Sequence, residues 1–368
     1  MKKIAIISPS YIPNIWNSHG RSTFNIAYGL ASQGHDVNVF TYTNKLETYK
    51  DIDGQVTVFY VGGATQPDSN RKVTALPFED IPMWNERLLP LLLVYDYDCI
   101  ILNGWYGWQA AKQCGTKIIS IIPFLYSLSG WLKPLDYVLE EQIKFIEKEC
   151  ILESHLLVAH TKKFGEKLAA YCNRDVLIIP NCHLDMSTST LRERPKIKNQ
   201  LCFVGKINSE KCLERIIRVL PELPEVQLVV SSLEKNQGYF SKLAYLAKQL
   251  DVDHNIRFST WLSTKDVREL YKESSLAIVT SQFEPYGYNA LDPMSLGTPV
   301  VVSEWSGLGE YINDENFVFS QLKTFQQKIS AALAMPKDEM LALTKANKDR
   351  VQEMYSSEYV TSLLEAVL

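Results

Sequence analysis

Two acidic residues, Glu284 and Asp292, bracket a short apolar segment that contains Gly287. The segment follows the β-type run 276–279 and leads through Gly297 into another β-type run. This order predicts a strand, a turn, a helix, a turn and a second strand. A helix start flanked by two carboxylates can hold an anion and the hydroxyls attached to that anion.

The predicted start of this helix suits an anion because Pro285 favours the first helical position. The amides of the next residues would then point out of the helix N-terminus, where unpaired N–H groups and the helix dipole stabilise a phosphate. These amides belong to Gly287, Tyr288 and Asn289. Glu284 would lie beside the phosphate, and Asp292, about two turns on, would reach the hydroxyls. The alternative is an ordinary βαβ unit with one capping acid and one solvated acid.

A second candidate site follows the β-type run 201–204, where Gly205 and Lys206 begin a short loop that ends at Lys211. Lysine side chains after a strand can hold a phosphate as point charges. Surface lysines are common, so either lysine alone would mean little. Their place after a strand, together with Glu284, favours a site for a phosphorylated ligand.

The segment around Glu284 resembles the acid, seven residues, acid motif of the retaining glycosyltransferase family four. The matching positions are Glu284, Gly287, Leu291, Gly297, Pro299 and residues 300–302. Asp292 departs from the family's usual second glutamate, and Pro293 stands where the family prefers alanine. A proline there implies either a kinked helix or a restarted turn that Asp292 caps.

The loop of Lys206 and Lys211 resembles the family's Val-Gly-Arg and Glu-Lys-Gly signature, whose basic side chains grip the donor diphosphate. Lys206 replaces the arginine, Lys211 keeps its place and Cys212 replaces the glycine. The resemblance therefore assigns donor binding to Lys206, Lys211 and the segment from Gly287 to Asp292. It implies that Glu284 orients the donor sugar as the catalytic residue and that Asp292 holds the ribose.

The N-terminal residues predict a buried first strand that stops at Ser8, a loop over residues 11–21 and a helix over 22–33. Gly20 remains of the family's glycine pair, which lets this loop approach the donor diphosphate, and His19 and Arg21 flank it. The alternative is that Gly20 merely permits a turn. No G-x-G-x-x-G pattern follows the strand, which counts against a nicotinamide enzyme.

Polar and aromatic clusters follow the predicted strands 99–102 and 117–122. Because ligands bind beyond the carboxyl ends of parallel strands, these clusters should line an acceptor cleft. The candidate acceptor residues are His19, Arg21, Asn103, Trp105, Tyr106 and Tyr126. The family's histidines at these strand ends are missing, and His160, at the end of another strand, is interpreted as structural.

Two other patterns have a structural and a functional interpretation. Asp96 and Asp98 match a metal-binding D-x-D, but they precede the predicted buried strand 99–102, so we interpret them as structural acids and expect no metal. The apolar run 82–93 is compatible with a helix on a membrane face, but at about 12 residues it favours a core helix.

Length and composition favour two domains, because 368 residues with 46% hydrophobic composition exceed one ordinary core. The predicted domains cover residues 1–182 with a last helix at 355–368, and 200–354, joined by a linker at 183–199. A net charge of −4 without a basic block argues against nucleic acid as a partner. Seven cysteines without a C-x-x-C pair predict buried, reduced thiols.

The resemblance implies an α/β GT-B fold, in which two Rossmann-like doubly wound parallel sheets face a cleft and the last helix crosses back to the first domain. It implies a metal-independent, retaining hexosyltransferase that uses a UDP- or GDP-sugar as co-substrate and no cofactor. The acceptor would be a glycan, a lipid-linked molecule or a protein. A catalytically inactive GT-B subunit that supports a partner enzyme is one alternative, and an epimerase or phosphorylase is another. We expect a cytoplasmic protein; peripheral association with the inner face of the membrane and a homo-oligomeric state stay open.

Overall fold

The computed structural model describes residues 1–12, 17–63, 76–128, 137–184, 195–232, 235–260 and 263–368. The chain divides into two compact units. The first comprises Met1–Leu184 and Tyr355–Leu368, and the second comprises Asp185–Met354. The predicted linker at 183–199 lies largely outside the described residues, and its last three residues belong to a strand that begins at Ile197.

The first unit is built on a sheet whose eight described strands run in the order β3, β4, β2, β1, β5, β6, β7, β8. These strands are β1 (Lys3–Ser8), β2 (Asp36–Thr43), β3 (Tyr49–Asp53), β4 (Val56–Gly62), β5 (Cys99–Asn103), β6 (Ile118–Ile121), β7 (Leu156–Ala159) and β8 (Leu177–Ile178). All neighbours pair in parallel except β3, which pairs antiparallel with β4. The exposed strand β3 was not predicted because it lacks a buried apolar run.

The helices of the first unit are α1 (Ser18–Ser32), α2 (Ile81–Leu92), α3 (Trp108–Ala111), α4 (Tyr137–Glu153), α5 (Lys162–Cys172) and, at the end of the chain, α13 (Ser357–Glu365). The prediction of a core helix at 82–93 is confirmed, since α2 buries Trp84 and Leu88. No helix in the described ranges is both long enough and apolar enough to cross a bilayer.

The last helix returns to the first unit, as predicted, and it packs on α1. Val360 and Leu364 join the core that α1 and the sheet share. The contact is close at Gly29 of α1, where a Cβ atom would lie 2.5 Å from Cγ2 of Thr361. Ser357 Oγ also donates to the carbonyl of Asn25 at 2.7 Å. A small residue in α1 thus permits the approach of α13.

The second unit is built on a parallel sheet whose six described strands run in the order β11, β10, β9, β12, β13, β14. The strands are β9 (Ile197–Val204), β10 (Gln227–Ser232), β11 (Ile256–Thr260), β12 (Ser274–Val279), β13 (Val300–Ser303) and β14 (Val318–Phe319). The helices are α6 (Glu214–Val219), α7 (Gln237–Gln249), α8 (Thr264–Glu273), α9 (Tyr288–Ser295), α10 (Gly309–Ile312), α11 (Leu322–Ala334) and α12 (Lys337–Met354). The β-type runs at 201–204 and 276–279 fall within β9 and β12, as predicted.

Two predicted helix starts were wrong. The first helix begins at Ser18 instead of residue 22, because the Asn17 side chain caps it by accepting the Gly20 N–H at 2.7 Å. Gly20 therefore lies inside the first turn of α1 and not in a loop. Helix α9 begins at Tyr288 instead of Pro285, because Gly287 takes a left-handed φ of 75° and forms the N-cap. Helix α9 also continues through Pro293, so no restarted turn is observed.

Candidate functional site

The turn that carries Lys211 is hydrogen-bonded to the segment after β12. The Thr280 hydroxyl donates to the carbonyl of Lys211 at 2.6 Å. Two residues further on, the Gln282 N–H donates to the carbonyl of Glu210 at 3.0 Å. These two bonds bring the second basic residue of the β9 loop beside the acid that follows β12.

The carboxylate of Glu284 is buried and accepts three hydrogen bonds on one oxygen. Lys211 Nζ lies 2.5 Å from Oε1 and forms an ion pair with it. The Ser281 hydroxyl donates to the same Oε1 at 2.6 Å, and Asn289 Nδ2 donates to it at 3.2 Å. Sequence reasoning singled out Glu284, Lys211 and Asn289, but it placed the two charges on different parts of a ligand. It did not identify Ser281. The available signal was the position of this serine, three residues before the acid.

The turn before α9 requires a glycine at Gly287. Its φ of 75° belongs to the left-handed region, and a Cβ atom there would lie 3.0 Å from the Tyr311 ring. The predicted anion-binding amides occupy the N-cap and the first two positions of α9. The first amides of a helix point along its axis, away from the helix body. These amides therefore still point out of the helix N-terminus, as predicted, although the helix starts later.

Asp292 lies one turn beyond Asn289 on α9. Residues three apart on a helix are neighbours on one face, so Asp292 shares the face whose Asn289 side chain reaches Glu284. Asp292 is half-buried. The structure therefore groups Asp292 with the Glu284 cluster by its place on the helix.

The two lysines of the β9 loop differ in the exposure of their side chains. Lys206 is exposed, whereas Lys211 is half-buried. A Cβ atom at Gly205 would lie 3.9 Å from Asn289 Nδ2, so the start of this loop faces the same cluster. Glu210 completes the charged set, and burial raises the pKa of its carboxyl while Lys211 opposes that rise.

In the first unit, His19, Gly20 and Arg21 lie in the first turn of α1. His19 is buried, and its Nε2–H donates to the carbonyl of Asn103 at the end of β5, at 2.6 Å. Burial lowers the pKa of His19 to about 4, so the ring is neutral near pH 7. A histidine therefore does reach this strand end, although it comes from α1 and not from the strands where the family carries it.

The predicted acceptor residues form an aromatic cluster. Trp105 stacks on Tyr106 with ring centroids 4.6 Å apart, and Tyr126 meets Trp105 edge-on. The hydroxyls of Tyr106 and Tyr126 hydrogen-bond each other. Trp105 is only 1% exposed and Asn103 is buried, so their side chains offer no surface to an acceptor in this structure. Tyr126 keeps partial exposure.

Two buried groups hold these strand ends in place. Both carboxylate oxygens of Glu147 on α4 accept backbone N–H groups, from Tyr126 at 2.6 Å and Ser127 at 2.8 Å. His160 is buried and its Nδ1–H donates to the carbonyl of Ile179 at 3.1 Å, which agrees with the structural role predicted for it. Glu147 was not predicted, because nothing local in the sequence distinguishes it from the surface acids of α4.

One acid of the D-x-D pair makes a structural contact. Asp98 Oδ2 accepts the backbone N–H of Lys3 at 2.6 Å, which fixes the start of β1 beside β5. Asp96 is exposed. Within the described ranges, one group of side chains close enough to share a metal comprises the exposed Asp251, Asp253 and His254.

Comparison with known proteins connects this geometry to a family. Residues 190–350 match the family model described as Glycosyl transferases group 1. The chain is 28% identical to an uncharacterized glycosyltransferase of Methanocaldococcus jannaschii over 338 residues, which covers 85% of this chain and 83% of that protein.

Solved structures agree at the level of the fold. Sucrose-phosphate synthase from Thermosynechococcus elongatus matches with a TM-score of 0.79 and 18% identity, over 100% of this chain and 98% of that chain. The Anabaena protein HepE, solved in complex with UDP and glucose, matches with a TM-score of 0.72 and 13% identity, over 100% and 99%. The predicted GT-B fold is confirmed. Residues 190–350, which match the group 1 family model, carry the Lys211 and Glu284 cluster.

Proposed function

We propose that this protein transfers a hexose from a UDP- or GDP-sugar to a glycan, a lipid-linked molecule or a protein, with retention of the anomeric configuration and without a metal. The observation that carries the proposal is the buried carboxylate of Glu284 paired with Lys211 inside the group 1 domain. A lysine can bind a diphosphate, and a neighbouring carboxylate can bind a sugar hydroxyl. The pair therefore suits a donor that contains both groups. The Anabaena neighbour solved with UDP and glucose supports a nucleotide sugar as that donor.

The chemical step requires stabilisation of the diphosphate as it departs from the sugar. Negative charge develops on that group while the glycosidic bond breaks, and fixed donors and cations are most effective where charge develops. Lys211, Lys206 and the first amides of α9 would supply this stabilisation. Glu284 would accept a hydroxyl of the donor sugar and so orient its reacting carbon, while Asp292 would bind the ribose.

In this scheme Lys211 donates hydrogen bonds to two acceptors, the Glu284 carboxylate and the donor diphosphate. In the structure it pairs with Glu284, and a bound diphosphate would compete for the same ammonium group. A lysine has three N–H donors, so it can contact a phosphate oxygen and the carboxylate together. When the donor is bound, Lys211 would therefore link the diphosphate to Glu284, the acid that orients the sugar.

Acceptor binding is assigned to the first unit, through His19, Arg21, Tyr106 and Tyr126. The phenol hydroxyls can donate to and accept from saccharide hydroxyls, whereas the one N–H of the neutral His19 ring already donates to the carbonyl of Asn103. Asn103 and Trp105 are buried and would support two of these residues, because the Asn103 carbonyl accepts the His19 N–H and Trp105 stacks on Tyr106.

A thermal-shift panel of UDP-, GDP- and ADP-sugars tests the proposal. A ligand at about 100 times its dissociation constant adds about 2.7 kcal/mol of stability, enough to be seen as a rise in melting temperature. The sugar that gives the largest shift is then used in transfer assays with candidate acceptors. No shift with any member of the panel would contradict the transferase. Binding without transfer to any acceptor would favour the inactive subunit instead.

Chelation tests the metal independence. We expect transfer to persist in EDTA, and we expect Asp96→Asn and Asp98→Asn to retain it, because the amide that replaces the Asp98 carboxylate would still offer an oxygen to the Lys3 N–H. Loss of transfer in EDTA that manganese restores would show that a metal takes part.

A further inference from the structure

We infer that Ser281 is a positioning residue that fixes the catalytic carboxylate of Glu284 through a buried hydrogen bond. The inference rests on the proposed function, since Glu284 is catalytic only if the protein transfers a sugar. Ser281 has no exposed surface, so it acts on a ligand only through a neighbour. That neighbour is Glu284, whose Oε1 accepts the Ser281 hydroxyl at 2.6 Å.

The hydrogen bonds divide the carboxylate into two unlike oxygens. Lys211, Ser281 and Asn289 all donate to Oε1. Oε2 accepts no hydrogen bond from any residue in the described ranges. Three donors saturate Oε1, whereas Oε2 remains available to a hydroxyl of the donor sugar. The side chain is therefore held by one oxygen and presents the other.

The three donors differ in how firmly they are held. The Lys211 ammonium sits on a long flexible stem and would share its N–H donors between Glu284 and the diphosphate when the donor binds. The Asn289 bond is the longest of the three, at 3.2 Å. Ser281 is fixed twice, because its carbonyl also accepts the hydroxyl of the buried Ser303. Ser281 is thus the donor best able to keep Oε1 in place while Lys211 also contacts the diphosphate.

Ser281→Ala should reduce the chemical step and not nucleotide binding. We expect kcat to fall about tenfold while the Kd for the nucleoside diphosphate stays within threefold, since the serine has no exposed surface with which to contact a nucleotide. Ser274→Ala is the matched control, because Ser274 is also fully buried and hydrogen-bonded but lies at the opposite end of β12. We expect kcat of Ser274→Ala to stay within twofold of the wild type.

A double-mutant cycle shows whether Ser281 acts through Glu284. In a Glu284→Ala background there is no carboxylate to hold, so adding Ser281→Ala should change single-turnover transfer by less than twofold. A parallel cycle on the thermal midpoint needs no substrate. The double variant should lose less than the sum of the two single variants if the hydrogen bond is real.

The outcomes separate the inference from the proposed function. If the wild type transfers sugar while Ser281→Ala matches Ser274→Ala, or lowers nucleotide affinity as much as kcat, the positioning role is overturned. A tenfold loss that persists in the Glu284→Ala background, or additive thermal midpoints, overturns it as well. If the wild type neither binds a nucleotide sugar nor transfers one, the proposed function fails and the catalytic role of Ser281 fails with it.

Discussion

At the scale of the residue, the site is a pair of opposite charges that hold each other. Lys211 and Glu284 are 73 positions apart in sequence, and no local pattern states that they meet. Each was identifiable by its place after a strand and by its family motif. Their pairing was not, because it depends on the Thr280 and Gln282 hydrogen bonds that join the two loops.

Substitutions of Lys211 and Glu284 should separate binding from chemistry. Lys211→Ala is expected to weaken nucleoside diphosphate binding by about 1.5 to 3 kcal/mol, the usual loss for a hydrogen bond to a charged group. Glu284→Gln is expected to keep that affinity within a few-fold while kcat falls about a hundredfold, because its contact strengthens as the bond to the diphosphate lengthens. Nucleotide titration and single-turnover transfer measure the two effects. Unchanged affinity in Lys211→Ala would remove this lysine from the donor site.

Asp292 should behave as a binding residue. If it holds the ribose, Asp292→Ala weakens the free nucleotide and the full donor by a similar factor and raises KM more than it lowers kcat. Asp292→Glu, with the family's usual residue, should be tolerated better than alanine. The same titrations apply, with Glu284→Gln as the comparison. Equal losses of nucleotide affinity for Glu284→Gln and Asp292→Ala would show that the two acids act as one unit.

At the scale of the element, the sequence was informative about strands and less so about helix starts. Buried parallel strands read as continuous apolar runs, so β5, β6, β9 and β12 were each placed within a few residues. The starts of α1 and α9 were missed because a side chain, Asn17, and a backbone angle, at Gly287, decide them. Strand β3 was missed because edge strands with exposed polar residues lack the apolar run.

The contact between α1 and α13 can be tested at Gly29. Gly29→Ala should lower the free energy of unfolding by about 1 to 3 kcal/mol, because its Cβ atom would meet Thr361 and Ser357 at 2.5 and 2.6 Å. Gly238→Ala in α7 is the control, since the nearest atom there is 3.5 Å away and alanine favours a helix. Urea unfolding of both variants checks the expectation. Equal stability of the two would mean that α13 shifts away from α1 without cost.

At the scale of the whole molecule, both units place polar groups at the carboxyl ends of their parallel strands. The two units differ in how these buried groups are stabilised. The second unit pairs a lysine with a glutamate. The first unit keeps uncharged rings, because His19 and His160 are buried and donate to backbone carbonyls. Burial lowers the pKa of each histidine to about 4. This difference makes the stability of the first unit sensitive to mild acid.

The direction of that sensitivity follows from where each state binds protons. Between pH 6.5 and about 4 the unfolded chain protonates both histidines, whereas the folded chain keeps them neutral. The free energy of unfolding should therefore fall as the pH is lowered through this window, by about 1.4 kcal/mol per pH unit for each histidine, and should show no such loss above it. Glu147 works in the opposite direction, because burial raises the pKa of its carboxyl and the folded state takes up that proton first. The comparison of slopes is thus more informative than any single slope.

Urea unfolding of the wild type and of His160→Gln between pH 4.5 and 7.5 should give a slope lower by about one proton in the variant. Parallel curves for the two proteins would show that His160 binds its proton equally well in the folded and unfolded states.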